Sequence, residues 1–344
     1  MKKCKIGIIG AGGIANGIHL PVLSELADAE ITAVCDISRE KAETAAKKFN
    51  IPKTYGLYCD MLKAEDLDAV FVLTQPDQLF RIAADCLCYG KHVFMEKPMG
   101  ITAFQANSLR LIASESKKIL NVGYNRRYIP LVIEIVSQMK KLTKINQISG
   151  YFYKNSTASF YGGCASSFMC DVIHVIDLVR HIAVGKENGN VSNVSTLETV
   201  NPETGVPEAW YSTMKFNNGE DKIDGVICAN YNAGGRVHRF ELHGKGASAY
   251  IDLGFGDFGC SGRILCDGAS FSIVSSASDN KQIQDFDGMQ IAGSKNYEDY
   301  YGYRDEDIAF INKALENPTE TDTERVNEDY YSVKLAETLL NARK

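Results

Sequence analysis

The segment Lys5–Ala15, KIGIIGAGGIA, joins a short apolar run to the start of an amphipathic stretch. Its small residues follow the pattern G-x-G-x-x-G/A, with Gly10, Gly12 and Ala15 at the three small positions. Gly10 allows a tight turn, Gly12 lets backbone N–H groups approach a pyrophosphate, and Ala15 permits close packing of the helix on the strand. The positive end of that helix then faces the phosphates. The segment therefore predicts a dinucleotide-binding turn rather than a purely structural glycine turn.

Outward from this turn, the first part of the chain alternates short apolar runs with amphipathic stretches. The apolar runs, rich in Val, Ile and Phe, are Lys5–Gly10, Ile31–Asp36, Ala69–Thr74, His92–Glu96 and Ile119–Tyr124. Helical periodicity is found near Ile14–Ala27, Ser38–Phe49, Gln78–Cys88 and Thr102–Ser116, with Ser38 and Thr102 as expected N-caps. Apolar strands that alternate with helices predict a parallel sheet covered on both faces. We therefore predict an α/β protein in which residues 1–122 form a doubly wound Rossmann domain.

Beyond residue 122 the pattern changes to a run of strands. Helices are predicted near Leu131–Lys140 and Phe168–Val184, strands dominate from Val191 to Val274, and Ser275–Ser294 is expected to be a loop. Turns are predicted at Asn217-Asn218-Gly219 and Gly244-Lys245-Gly246, so the strands are expected to pair mainly antiparallel. The last helices are expected near Asp305–Leu315 and Glu324–Ala342. Residues 123–344 are assigned to a second domain, with packing of the final helices against the first domain as an alternative.

Composition and charge limit the classes of partner. The chain has 344 residues, with 37 Lys plus Arg against 43 Asp plus Glu and a formal net charge of −6. This balance excludes the clustered basic footprint of a nucleic-acid-binding protein. No run reaches the roughly 18 apolar residues of a membrane span. The 10 cysteines include no C-x-x-C pair and no zinc-like spacing, so we expect a cytoplasmic protein with no metal site.

The choice of cofactor depends on Asp36, which closes the second apolar run. With Gly13 and Ile14 at the helix start, it completes the expected contacts to the adenosine half. Its carboxylate can accept hydrogen bonds from both ribose hydroxyls and would repel a 2′-phosphate, which favours NAD. An Asp that only complements the dipole of the next helix is the alternative. Arg39 could instead bind a 2′-phosphate, so NADP stays open.

The predicted topology also locates the reacting end of the cofactor. Ligands of such sheets bind beyond the carboxyl ends of the strands, and strands four to six serve the nicotinamide half. Thr74, Gln75 and Pro76 follow the predicted fourth strand, and Glu96 and Lys97 follow the fifth, so all five are predicted cofactor contacts. A lysine there can hydrogen-bond a substrate hydroxyl and stabilise the alkoxide that forms as hydride leaves. The alternative is a solvated surface lysine, but the strand-end position favours a function.

A second group of polar residues lies in the apolar stretch Asp171–Arg180. At about 3.6 residues per turn, Asp171, His174 and Asp177 fall on one side of a helix. A histidine with a carboxylate one turn away can act as a general base. A core histidine that pairs with an acid for structural reasons is an equally good interpretation. The other histidines, His19 among them, have no comparable acidic partner in the sequence.

With these residues the chain resembles the Gfo/Idh/MocA family of sugar and cyclitol oxidoreductases. The matching segments are Ile8–Ala15, His19–Pro21, Gly90–Pro98, Asn121–Tyr128, His174–Arg180 and Phe240–Gly246, and the Glu-Lys-Pro of Gly90–Pro98 is the most specific. The resemblance implies a Rossmann domain followed by an α/β domain whose large open sheet commonly forms homodimers or homotetramers. It also implies Lys97 and His174 at a nicotinamide, Arg126 or Arg127 facing the substrate, and a sugar, sugar derivative or inositol as that substrate.

Two positions depart from the pattern of the family. Members often have T-P-N-x-x-H after the fourth strand, whereas this chain has Phe80 at the histidine position. Many also carry D-x-G-x-H before the helix, whereas here Asp171 stands three residues before His174. Some members share the shorter spacing. Asp171 is therefore kept as a catalytic and substrate-binding candidate beside Lys97 and His174.

Together these patterns predict an NAD(P)-dependent oxidoreductase that transfers hydride between the nicotinamide and a ring hydroxyl or ketone. His174 would take the hydroxyl proton, Lys97 would stabilise negative charge, and Asp171 or Asp177 would hold the imidazole. The main alternative is redox-assisted glycoside cleavage or epimerisation with internally recycled NAD. A non-enzymatic nucleotide-binding sensor is the third, although it would need neither Lys97 nor His174.

Overall fold

The structure is a computed structural model that describes residues 2–158, 166–186, 189–219, 221–254, 259–266, 283–316 and 321–343. Cys164 and the first part of the predicted loop Ser275–Ser294 lie outside the described residues. The chain forms two compact units. The first, here the Rossmann unit, contains Met1–Tyr124 and Tyr303–Lys334; the second, here the sheet unit, contains Asn125–Gly302 and Leu335–Lys344.

A parallel six-stranded sheet forms the centre of the Rossmann unit. Its strands are β1 (Cys4–Ile9), β2 (Ala29–Cys35), β3 (Lys53–Tyr55), β4 (Ala69–Val72), β5 (His92–Met95) and β6 (Leu120–Val122). The helices are α1 (Leu20–Glu25), which follows a π-helical turn at Ala15–His19, α2 (Arg39–Phe49), α3 (Tyr58–Ala64), α4 (Pro76–Cys88) and α5 (Ala103–Ser116). The strand order β3-β2-β1-β4-β5-β6 confirms the predicted doubly wound sheet.

Burial explains the sequence pattern of this unit. Strands β4 and β5 are buried at every position, so their sequences are apolar throughout rather than alternating. Ser38 and Thr102 cap α2 and α5 as predicted, each accepting a hydrogen bond from a backbone N–H three residues later. Strand β3 and helix α3 were not predicted, because β3 has only three residues and two of them are exposed.

The sheet unit is built on an eight-stranded sheet. Its strands are β7 (Ile145–Asn155), β8 (Asn190–Val200), β9 (Pro207–Asn218), β10 (Asp221–Asn230), β11 (Asn232–Gly244), β12 (Ala247–Leu253), β13 (Cys260–Cys266) and β14 (Ile283–Asp287). The order is β14-β13-β12-β11-β7-β10-β9-β8, and every neighbouring pair is antiparallel except β10 and β7. The predicted, mainly antiparallel sheet is confirmed, and so is the hairpin that joins β9 to β10 through Gly219 at a φ of 61°.

The remaining helices are α6 (Pro130–Leu142), α7 (Ile173–Val184), α8 (Gly288–Ala292), α9 (Tyr297–Tyr300), α10 (Tyr303–Glu316) and α11 (Thr323–Asn341). Helix α7 continues a π-helical turn at Phe168–Val172. It packs closely on β7 at Gly150, where a Cβ would come 2.3 Å from Val175 Cγ2. This close approach places the start of α7, which carries several candidate residues, beside β7.

One prediction is wrong in the described part of Ser275–Ser294. The structure has strand β14 and helix α8 there instead of a loop. Among the described strands, β14 lies at the edge of the sheet beside β13, and Arg263 of β13 forms an ion pair with Asp285. A polar edge strand of this kind lacks the apolar alternation that sequence analysis needs.

None of the helices within the described ranges combines the length and apolar character needed to cross a membrane.

Candidate active site

The glycine turn after β1 is held by its own neighbours. Gly10 has a φ of 99°, and a Cβ there would come 2.5 Å from the backbone oxygen of the residue after β4, so the position requires glycine. Asn16 Nδ2 donates to the carbonyl oxygens of Ala11 and Gly12 at 2.8 and 3.0 Å. A Cβ at Gly12 or Gly13 would meet no described atom within 4 Å. The backbone of the turn is therefore held by hydrogen bonds, and the space beside Gly12 and Gly13 is open, as phosphate binding requires.

Asp36 is fixed against this turn, whereas Arg39 is not. Asp36 Oδ2 accepts a hydrogen bond from the Ala11 N–H, and Oδ1 accepts one from the Ser38 N–H, each at 2.8 Å. The Arg39 side chain is 90% exposed and pairs with Glu43 at 2.6 Å on the surface of α2. The Asp36 carboxylate is thus held in place by the backbone. The Arg39 guanidinium is paired with Glu43, one helical turn further along α2.

Polar groups also follow β4, where a nicotinamide is expected. Gln75 occupies the N-cap position of α4, and Pro76 is its first helical residue. Thr74 Oγ1 and Asp77 Oδ1 are buried, and neither has a hydrogen-bond partner among the described residues. Buried polar atoms rarely stay unsatisfied in native proteins, so these two atoms are suited to contact a ligand.

A buried network supports the residues that follow β5. Glu96 Oε2 accepts a hydrogen bond from the Lys97 backbone N–H at 3.2 Å, and Glu96 Oε1 lies 3.4 Å from His19 Nε2. The other ring nitrogen, His19 Nδ1, lies 3.0 Å from Oδ1 of Asp307 on α10. The His19 and Asp307 side chains are fully buried. The network Asp307–His19–Glu96 therefore connects α10 to the backbone of Lys97.

Electrostatics make His19 the cation of this network. Burial alone would lower the pKa of His19, but Asp307 and Glu96 outweigh it and raise that pKa to about 10. Burial likewise acts to raise the pKa of Glu96, and the hydrogen bond from His19 together with the charge of Lys97 lowers it. Glu306, next to Asp307, has its pKa raised well above the ordinary value by burial, so we expect it to be neutral.

Sequence reasoning missed this network, because it found no acidic partner near His19 in the sequence. The partner Asp307 lies 288 positions away along the chain. A separation of that size leaves no spacing pattern to find. The only local signal was His19–Pro21 itself, a family-like segment that the nucleotide turn does not explain.

In the sheet unit, the polar residues around α7 each have their own contacts. Asp171 Oδ2 accepts hydrogen bonds from Lys154 Nζ at 2.5 Å and from the Tyr231 hydroxyl at 2.8 Å. Asp177 binds Arg127 through two hydrogen bonds, that from Nε being 2.9 Å long, and both side chains are buried. This pairing favours a structural role for Arg127. The roles assigned to Asp171 and Asp177 beside a general base stay predictions.

His174 and Arg126 have different surroundings from Arg127. His174 and His181 are the two residues of α7 outside its buried set. Arg126 is 2% exposed, and its Nη2 lies 2.9 Å from His238 Nδ1. Sequence analysis did not single out His238, which lies on β11 and faces Phe152 of β7 with the two rings stacked 4.3 Å apart. Within the described ranges, no group of three His, Cys, Asp or Glu side chains is arranged to hold a metal ion.

Comparison with known proteins gives a matching family model and several similar sequences. Residues 4–124 match the Gfo/Idh/MocA family model, described as "Oxidoreductase family, NAD-binding Rossmann fold". The chain is 31% identical over 207 residues to the rhizopine catabolism protein MocA of Rhizobium meliloti, which covers 58% of this chain and 62% of that protein. It is 28% identical over 182 residues to an inositol 2-dehydrogenase of Salmonella paratyphi B, which covers 51% and 53%.

Among solved structures, the chain resembles KijD10, a 3-ketoreductase from Actinomadura kijaniata crystallised with NADP and TDP-benzene. The TM-score is 0.80 at 15% identity, with 100% of this chain and 98% of that chain covered. An identity this low shows the fold alone. The chain spans little more than half the length of the first curated relatives it matches, between 53% and 58%.

Proposed function

We propose that the chain transfers hydride between NAD and a ring hydroxyl or ketone, because residues 4–124 match the model of the Gfo/Idh/MocA oxidoreductase family with its NAD-binding Rossmann fold. The proposed substrate is a sugar, a sugar derivative or an inositol. The observation that carries the proposal is the buried network behind Lys97. A lysine that was merely solvated would not need a fully buried His–Asp pair and a glutamate to fix its backbone.

The residues of the Rossmann unit fit a nicotinamide dinucleotide. The open space above Gly12 and Gly13 accommodates a pyrophosphate, and the fixed Asp36 carboxylate suits the ribose hydroxyls. The unsatisfied Thr74 hydroxyl suits the nicotinamide side. When bound, the cofactor supplies the hydride acceptor or donor. Because the Asp36 carboxyl group is fixed beside the turn and Arg39 is engaged by Glu43, we propose a preference for NAD over NADP.

The protein side chains then transfer the hydroxyl proton and stabilise the negative charge on the reacting oxygen. We assign Lys97 to bind the reacting oxygen and to stabilise negative charge on it. His174 takes the hydroxyl proton in oxidation and returns it in reduction. Asp171 is already held by Lys154 and Tyr231 and is assigned to binding the substrate.

The first experiment measures absorbance at 340 nm with inositols, aldoses, sugar phosphates and glycosides, each with NAD and with NADP. We expect reduced cofactor with one substrate class and with NAD in preference. Lys97→Met should lower kcat by about 10²–10³, because it removes the main stabiliser of the oxyanion. Lys63→Met, at an exposed lysine of α3, is the matched control and should leave kcat unchanged.

Two outcomes would contradict the proposal. A Lys97→Met enzyme as active as the Lys63→Met control would remove Lys97 from the chemistry. If a glycoside were consumed without net formation of reduced cofactor, the chain would catalyse a reaction that recycles its cofactor internally and would not be a dehydrogenase.

We also propose a homodimer or homotetramer in the cytoplasm. Leu197, Tyr211 and Val237, on three strands of the large sheet, are 56%, 48% and 43% exposed, which suits an interface between copies. The cysteines within the described ranges carry free thiols, as a reducing compartment favours. Sedimentation velocity measures the mass of the assembly, and a monomer would contradict the first proposal. Cell fractionation tests the second, which recovery outside the cytoplasmic fraction would contradict.

A further inference from the structure

A cluster in the sheet unit holds two cations, of which only one is paired with an acid among the described residues. It consists of Arg126, Phe152, Lys154 and His238, and we call it the Arg126 cluster. Arg126 lies 5.4 Å and Lys154 4.9 Å from the centre of the Phe152 ring, on which the His238 ring stacks. Lys154 is paired with Asp171. Arg126 has no acidic partner among the described residues, so the cluster carries excess positive charge.

The hydrogen bond between Arg126 and His238 fixes where the protons lie. A guanidinium can only donate, so His238 Nδ1 must be the acceptor of the bond from Arg126 Nη2. Burial lowers the pKa of His238, and the charges of Arg126, Arg236 and Lys154 lower it further. The ring is therefore neutral and carries its single proton on Nε2. His238 accepts one hydrogen bond from Arg126 but contributes no negative charge.

Three buried donors of the cluster have no acceptor in the part of the chain that the structure describes. Arg126 Nε, Arg126 Nη1 and His238 Nε2 are buried and have no hydrogen-bond partner among the described residues. An uncompensated charge and unsatisfied donors at 2% exposure are both unfavourable, and native proteins rarely retain either.

The neighbouring Arg127 is a useful comparison, because it is a buried arginine that is paired with an acid. Arg127 lies in the same short helical turn, Asn125–Tyr128, and is also buried. Its Nε and Nη2 are both taken by the carboxylate of Asp177. Among the described residues, the turn therefore holds one buried arginine with a built-in counter-ion and one without. That difference favours a bound ligand as the missing acceptor at Arg126.

We propose that the Arg126 cluster binds an anionic group of the substrate, a carboxylate or a phosphate. Water or a neutral hydroxyl could satisfy the donors, but only an anion also compensates the charge of Arg126. Charge-assisted hydrogen bonds from Arg126 and a further one from His238 would hold it. This inference rests on the proposed function and narrows it, because the sugar-like substrate becomes an acidic sugar or a sugar phosphate.

The test measures binding directly, by calorimetry on the full chain with and without NAD. The probes are glucuronate, glucose 6-phosphate and neutral glucose, and the variants are Arg126→Met, Arg126→Lys and His238→Phe. We expect wild type to bind at least one of the two anions about 10–100-fold more tightly than glucose, as charged hydrogen bonds provide. Arg126→Met should abolish that preference and Arg126→Lys should retain part of it. Arg263→Met, at a surface arginine paired with Asp285, should leave it unchanged.

The pattern of results separates the possible conclusions. Preference for glucuronate alone identifies a carboxylate, and preference for glucose 6-phosphate alone identifies a phosphate. Wild-type protein that binds glucose as tightly as both anions, or an Arg126→Met variant that keeps the preference, overturns the inference. Hydride transfer to or from neutral sugars without any anion preference rejects this inference and keeps the proposed function. Arg126-dependent anion binding without hydride transfer to or from any substrate in the panel does the reverse.

Discussion

Each unit of this protein buries a histidine in a charged environment, and the two environments have opposite signs. His19 of the Rossmann unit lies between the carboxylates of Asp307 and Glu96, whereas His238 of the sheet unit accepts a hydrogen bond from a buried arginine. The first histidine becomes the cation that contacts both acids. The second stays neutral and leaves Arg126 uncompensated. We expect the compensated charge to serve the structure and propose that the uncompensated one serves a ligand.

Substituting the two histidines tests this contrast most strongly. His19→Phe keeps a ring in contact with Phe71 and Phe94 but leaves two buried carboxylates without their cation, so we expect a loss of about 3–5 kcal/mol of stability. His238→Phe keeps the stack on Phe152 and loses one hydrogen bond, so we expect about 1–2 kcal/mol. Urea denaturation at pH 7 measures both. Equal losses would mean that the two environments do not differ as described.

The pH dependence of stability gives a second and smaller effect. The pKa of His19 is about 10 in the fold and about 6.5 when unfolded, so its contribution is complete below pH 6.5 and is lost as the pH rises through 10. Between pH 7 and 9 we expect about 2–3 kcal/mol of stability to disappear. The pKa of His238 is lowered, so its contribution is instead lost as the pH falls below 6.5.

Urea denaturation at a series of pH values measures these slopes. The His19→Phe variant should lose the alkaline decline, and the His238→Phe variant should keep it. An alkaline decline of unchanged slope in His19→Phe would assign the effect to other groups and remove the opposite-sign comparison.

The same contrast explains what the sequence could and could not predict. The nucleotide turn was predictable because its requirements are local: Gly10 needs a positive φ, and Asp36 closes the adjacent strand. The N-cap of α2 at Ser38 was predictable for the same reason. The residues that form these features are close together in the sequence, so their spacing is enough to predict them.

The charge networks were not predictable, because the fold alone brings their members together. His19 and Asp307 are 288 positions apart, and Arg126 and His238 are 112 apart. Sequence reasoning, guided by the family resemblance, named Arg126 and Arg127 together as substrate residues. It could not tell them apart, since Asp177 lies 50 positions from Arg127 with nothing in between to mark the pair.

The smallest expected effect concerns Arg126 itself and is the most diagnostic. Arg126→Met fills similar space with an uncharged chain and removes a buried cation that has no acidic partner among the described residues, so we expect stability to stay the same or rise by up to about 1 kcal/mol. Arg126→Lys keeps the charge and should give no gain. A loss of several kcal/mol in Arg126→Met would instead mean that the fold depends on the cation. If Arg126 is retained for function at the expense of stability, Arg126→Met should gain stability and lose anion binding.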